Sequence, residues 1–183
     1  MEYFILSQKG NIPNTVEVRI KANAPNEPKS ELLKEQTDQI KAVTRIPVTS
    51  DVNNFYPDVI DGPVFIVSDQ IKKLIEIYDD SPVWKCVALL DHVLKKQSIY
   101  WLPLLDKIDC VSDETEFYKD KSLKKLVLDK EKIGNSKIFR VASISRKLVV
   151  VNLDIAESIL RRFFQGIKLE KVDCVGGNEI WRM

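Results

Sequence analysis

Twice in this chain a short apolar run leads directly into a capped amphipathic helix and then into another apolar run. No other feature limits the fold as strongly. In the first unit, Val64-Phe65-Ile66-Val67 has the unbroken apolar character of a buried strand. Ser68 stands in N-cap position, where its hydroxyl can accept an orphan helix amide, and Asp69 suits the positive end of the helix dipole. Ile71, Leu74, Ile75 and Tyr78 then recur at helical spacing. Asp79-Asp80-Ser81-Pro82 stops the helix, Trp84 to Leu90 reads as the next strand, and Ile99 to Leu105 as another. The second unit repeats the order. Leu148-Val149-Val150-Val151 is the strand, Asn152 the cap, Asp154 the first-turn acid, and Ala156, Ile159, Leu160 and Phe163 the stripe. Arg161 and Arg162 are expected in the last turn, Gly166 as a left-handed stop, and Ile167 to Val172 as the strand beyond. The match fits a duplicated element. It also fits one solution reached twice, because cap preferences alone produce it.

The rest of the chain fills in around these units. Tyr3 to Leu6 and the alternating Val16-Glu17-Val18-Arg19-Ile20 read as strands, and residues 23–28 as a loop. Ser30 is placed to cap a helix running to about Val43, and Thr44 to Gly62 reads as irregular because Pro47, Asn53-Asn54 and Pro57 interrupt it. Lys125 to Leu128 and Lys137 to Val141 are expected strands separated by a turn at Gly134-Asn135, and Ser143 to Lys147 should turn a hairpin into Leu148. These elements predict an α+β fold: a mostly antiparallel sheet with helices packed on one side, carrying two strand–capped-helix–strand units.

Composition narrows the function classes. The 28 basic and 27 acidic residues nearly cancel, so the basic excess that phosphate binding draws on is missing, and no nucleic-acid partner is expected. No apolar run approaches a membrane span, and Glu2 with the short run Tyr3 to Leu6 does not resemble a signal peptide. Cys86, Cys110 and Cys174 are odd in number, scattered and set beside apolar runs, which suits reduced core thiols in a cytoplasmic protein better than a disulfide or zinc framework.

Catalytic patterns are sparse. His92 is the sole histidine and sits in a turn-like context, so a two-histidine metal site is excluded and Ser-His or Cys-His catalysis would have to use it. Gly176-Gly177 lacks the lysine and helix of a phosphate loop, and reads as a terminal turn. No cofactor or metal is expected. The densest charge lies between Asp106 and Asp120, where Asp106, Asp109, Asp113, Glu114, Glu116 and Asp120 face only Lys107 and Lys119. This stretch reads as a solvated loop or as an acidic surface that steers a basic partner. Tyr100-Trp101 adds an aromatic pair of which one ring should face inward and the other outward. Asp106, Asp109, Asp113, Glu114, Glu116 and Trp101 are therefore the candidate partner-binding residues.

Several segments together carry a family resemblance: Val64 to Leu74, Tyr100-Trp101-Leu102-Pro103-Leu104 running on to Ile108-Asp109, Leu126 to Asp129 with Ile133, Ile138-Phe139-Arg140, and Val149 to Leu160 with Gln165-Gly166-Ile167. Over about residues 60 to 172 the chain resembles the Imm11-type immunity proteins of bacterial polymorphic toxin systems. It departs from them at Asn152, where serine is expected, and at Gln165, where a small or hydroxyl residue is common. The resemblance implies an immunity-like domain over residues 61–183, with residues 1–60 as an N-terminal extension or first subdomain packed on it. It also implies a protein that binds and occludes a cognate toxin without catalysis, and it brings no active-site residues. The alternatives are an enzyme acting on a small molecule through carboxylates and Cys110, or a regulatory module that binds another protein.

Overall fold

The computed structural model describes residues 1–18, 41–49, 51 and 53–176. Strand β1 (Tyr3–Gln8) opens the chain, followed by β2 (Val43–Pro47), β3 (Val59–Asp61) and β4 (Phe65–Ser68). Helix α1 (Asp69–Tyr78) leads into the hairpin of β5 (Val83–Asp91) and β6 (Lys96–Leu104). Short strands β7 (Lys107–Ile108), β8 (Glu116–Phe117), β9 (Leu123–Lys125) and β10 (Val127–Asp129) precede the one-turn helix α2 (Lys130–Ile133). Strands β11 (Ile138–Val141) and β12 (Val149–Asn152), helix α3 (Leu153–Leu160) and β13 (Ile167–Val175) follow. The class is α+β, and strands dominate. Where one sheet was expected, the described residues form two, plus the small β8–β9 pair.

The two sheets repeat one topology. The first runs β3-β4-β6-β5-β2, antiparallel except for the parallel β5–β2 pair at its edge. The second runs β11-β12-β1-β13-β10, again antiparallel except for the parallel edge pair β13–β10, with β7 added beside β11. In each, a helix connects the second strand to the fourth, and the third strand fills the gap between them. The first sheet fills that gap with β6, which follows β5 through a tight hairpin. The second fills it with β1, from the far end of the sequence. Cap preference explains matching helix starts, but not five strands matching in order and direction. The two units are a repeated element.

Local chemistry explains the units. The Ser68 hydroxyl accepts from the Ile71 amide at 3.4 Å, and the Asn152 side chain from the Ile155 amide at 3.1 Å, so both helices begin where the caps stand. Ile71, Leu74 and Ile75 of α1 and Ile155, Ala156 and Ile159 of α3 are buried in one cluster with Val59, Phe65 and Val67 of the first sheet and Leu6, Val149 and Val151 of the second. Both helices therefore pack in the cluster that joins the sheets, each helix on one face of its own sheet. Each fully buried isoleucine contributes about 1.5–3 kcal/mol relative to exposure. The opposite sheet faces have cores of their own, around Ile46, Ile66 and Leu89 in one and Tyr3, Phe139 and Val150 in the other.

Several expectations are corrected. The irregular stretch from Thr44 contains two strands. In β2, Thr44 and Ile46 turn inward while Val43, Arg45 and Pro47 turn outward, and the proline is tolerated because the strand lies on an edge. Val43, the expected end of a helix, opens this strand, and Lys41 and Ala42 before it are not helical; residues 30–40 of that helix, the loop over 23–28, the end of the strand expected at Val16–Ile20 and Gly177 lie outside the described residues. Within that expected strand, Val18 makes only an isolated bridge to Val48. Helix α3 stops at Leu160, before the apolar stripe is complete. The Arg161 amide still makes the α-helical bond to the Glu157 carbonyl at 2.9 Å, but the Arg162 amide bonds the Ile159 carbonyl at 3.1 Å, an i→i−3 contact that tightens the turn after Leu160 and swings the chain off the stripe. Arg161 and Arg162 thus lie past the helix, and of the expected stripe both Leu160 and Phe163 are exposed, while Ile155 is buried beside Ala156 and Ile159. Gly166 is left-handed, with φ +71°, but it stands immediately before β13 rather than ending the helix.

Asp58 ties the two halves together. Its carboxylate accepts from the Ser68 hydroxyl at 2.6 Å and from the Gln165 amide at 2.7 Å. Its backbone accepts from Ser68 N–H and donates to the Gln165 carbonyl, both at 2.8 Å. Beside it, a Cβ on Gly166 would lie 2.3 Å from Cβ of Pro57. Asp58→Ala is expected to lower the unfolding free energy by about 3 kcal/mol, because two amide or hydroxyl donors lose a charged acceptor. Gly166→Ala should cost at least as much, since it combines backbone strain with a collision. Urea unfolding followed by circular dichroism measures both, and unchanged midpoints would show that the halves are held elsewhere.

Candidate functional site

The acidic stretch becomes a pinned surface segment leading into β8. Thr115 holds it down: its hydroxyl donates to the Val127 carbonyl at 2.9 Å and accepts from the Val127 amide at 3.0 Å. Asp106, Asp109, Asp113, Glu114 and Glu116 are all exposed. Glu116 pairs with Lys124 at 2.6 Å, and this hydrogen bond and charge hold its carboxyl below the usual range. Lys132 reaches the Val111 carbonyl at 3.4 Å, and Glu116 and Glu114 both act on the charge of Lys125. Lysines from β9 and α2 therefore border the segment, so in three dimensions it is a mixed-charge ridge.

Trp101 lies elsewhere. Strand alternation turns Tyr100 to one face of the first sheet and Trp101 to the other, where it packs half-buried in the helix cluster. Its indole N–H donates to Asp69 at 3.1 Å, and the Lys72 ammonium sits 4.8 Å from its ring centroid and 5.7 Å from that of Trp84. Tyr100 is buried, and its hydroxyl donates to the Pro57 carbonyl at 2.7 Å.

The aromatic surface comes from residues the sequence reading passed over. Asp120 closes the β8–β9 turn by accepting from the Ser122 amide at 3.0 Å and the Ser122 hydroxyl at 2.6 Å. A register shift between Glu116 and Phe117 re-aims the strand. Phe117 and Tyr118 are left 46% and 57% exposed. Phe117 lines a groove of about 630 Å3 with Leu123, Ile144, Ser145, Arg146 and Lys121, between the β8–β9 hairpin and the β11–β12 loop. Leu123 and Arg146 also border a second depression of about 360 Å3, which runs over Ile5, Leu126 and Leu148. None of the five candidate carboxylates lines either groove. The available signal was Phe117-Tyr118 itself, two aromatics inside a charged run with no apolar partners at strand or helix spacing.

The groups an enzyme would draw on are scattered. His92 is exposed in the β5–β6 turn. Cys110 is fully buried, and that burial pushes its thiol up to about 11, so it stays protonated at neutral pH. Burial also raises Cys86 and Cys174. Among the described residues, no three His, Cys, Asp or Glu side chains converge as a metal site would, and no helix is long and apolar enough to cross a membrane. No protein-family model matches the chain, and no curated protein matches it significantly.

At pH 8, alkylation of the folded protein should modify Cys86 and Cys174, both partly exposed, well before Cys110. Modification of Cys110 should need unfolding. Peptide mass spectrometry over time gives the order, and early labelling of Cys110 would contradict its burial.

Proposed function

We propose that this protein binds a cognate bacterial toxin and neutralises it by occlusion, without a catalytic step of its own. One observation carries the reading: Phe117 and Tyr118 stand exposed on a turn-locked hairpin, beside a groove floored by Leu123 and Ile144 and rimmed by Lys121 and Arg146. Rigidly held aromatics next to an apolar groove with a charged rim have the make-up of an interface hot spot. The mixed-charge ridge from Asp106 to Glu116 continues the same chain segment and adds charge that can select a partner and speed encounter. The resemblance of residues 60 to 172 to immunity proteins points to the same role, with the cytoplasm as its compartment and a protein rather than nucleic acid as its partner.

The enzyme alternative fits less well. Its thiol, Cys110, is sealed and protonated, and none of the carboxylates between Asp106 and Glu116 lines the two grooves. A general regulatory module would use the same surface, and only the identity of the partner separates it from an immunity protein.

The test is co-expression with a candidate toxin sought among the genes neighbouring this one. Host growth should depend on this chain. The double variant Phe117→Ala/Tyr118→Ala should weaken the complex about thirtyfold or more while leaving the melting temperature nearly unchanged. Full protection by the double variant would move the interface away from the hairpin. Failure of the intact chain to protect, with the toxin active, would end the immunity reading.

A further inference from the structure

Strand β13 has one half-open edge. In the antiparallel β1–β13 ladder, Lys9 N–H donates to the Gly166 carbonyl at 2.9 Å, and the register continues through Ser7 opposite Lys168, Ile5 opposite Glu170 and Tyr3 opposite Val172. Hydrogen-bonded and non-hydrogen-bonded pairs alternate along such a ladder. Ile167, Leu169 and Lys171 therefore aim their backbone N–H and C=O groups away from β1. On that side β10 pairs only with Asp173 to Val175. Among the described residues, no strand is paired with the edge from Ile167 to Lys171 on this side, which is the kind of template that recruits another strand.

The side chains along this edge are complementary to their own reversed copy. Lys168 and Glu170 are exposed on one face and paired with each other at 2.6 Å. Ile167 and Leu169 lie on the other face, where they border a depression of about 190 Å3 with Leu160 and Phe164. Leu160 is 71% exposed, and Phe163, in the turn that leads to the edge, is fully exposed. These are large apolar side chains that the single chain leaves uncovered.

We propose that this edge is a self-pairing surface, through which two copies of the chain associate as an antiparallel dimer centred on Leu169. In that register Leu169 pairs with itself across the axis and Ile167 with Lys171 of the partner subunit. Every outward backbone group from 167 to 171 then gains a hydrogen-bonding partner. Lys168 falls opposite Glu170 of the partner subunit, and Glu170 opposite the partner's Lys168, at the non-hydrogen-bonded positions where facing side chains come closest. A shift of one residue would aim the outward groups of one strand at the inward groups of the other and lose the charge match. The contact is isologous and closes at two copies, as a two-fold interface requires. It brings Leu160 and Phe163 to the side of the seam that the second copy covers.

Light scattering coupled to size-exclusion chromatography of the full chain, over a range of concentrations, should give twice the 21.0 kDa chain mass. Lys168→Glu sets carboxylate against carboxylate at both ends of the seam and should weaken the dimer about tenfold. Glu170→Lys should do the same with ammonium groups. The double variant Lys168→Glu/Glu170→Lys restores opposite charges in every facing pair and should restore the dimer. Thermal melting of each variant, with these exposed side chains altered, should show an intact fold. A monomer at all concentrations overturns the proposal. So does a dimer indifferent to Lys168→Glu, or a double variant no better than the single ones.

Discussion

The contact on which the rest of the molecule depends is the one made by Asp58. It sits just before β3, yet it fastens the cap of α1 and the entry to β13 at once: Ser68 through hydroxyl and amide, Gln165 through amide and carbonyl. A carboxylate accepting two such donors makes charge-assisted hydrogen bonds, which are stronger than neutral ones. The other half has a counterpart. Lys137, just before β11, receives the Asn152 amide on its carbonyl and reaches the Tyr78 carbonyl at 2.7 Å with its ammonium. Asp79 lies alongside. Burial alone would raise its carboxyl, but hydrogen bonds from Ser81 and Lys137 hold it below the usual range. Each half thus grips the strand-entry loop of the other, and α1 and α3 meet between these grips, where the Tyr78 hydroxyl donates to Ser158 at 3.0 Å.

This reciprocity follows from the repeated topology. Because each sheet routes its chain through a helix from second to fourth strand, it must find a third strand to fill the gap. The first half supplies its own in β6. The second borrows β1, so the first residues of the chain become a central strand of the sheet formed by the last. Long-range pairing of this kind is entropically costly to form and is offset by burial on both faces: Leu6 packs toward the helices, and Tyr3 stacks edge-on against Phe139 at 5.9 Å. It also keeps regular structure close to the core and leaves the connecting segments, above all the one from Lys107 to Leu126, to form the surface.

That segment concentrates the features a binding protein uses. Its chain is anchored by Thr115 and Asp120, its bulge turns Phe117 outward, and its charges are of both signs. Charge density marks this region in the sequence, and the aromatic pair Phe117-Tyr118 lies within it. The two properties are adjacent in the chain but do separate jobs: the carboxylates are solvated and Glu116 pairs with Lys124, whereas Phe117 borders the groove and Tyr118 stands exposed next to it in the chain.

Much of the fold was legible residue by residue. Caps, turn residues and periodicity act within a few positions, so Ser68, Asn152, the buried face of α1, Ala156 and Ile159 of α3 and the strands around them could be read directly, and with them the α+β class. Periodicity failed where a neighbour intervened. Phe163 continues the apolar stripe of α3 in sequence, but the tightened turn at Arg161 carries it into solvent. Thr44 to Pro47 looked irregular because its proline is acceptable only on an edge, and edges exist only once strands have paired. The division into two sheets, the capture of β1, the lysines that border the acidic stretch and the open edge of β13 all arise from contacts between residues far apart in the chain. Local chemistry determined what each segment is; only long-range pairing decided which segment stands beside it, and so which side chains remain exposed to meet a partner.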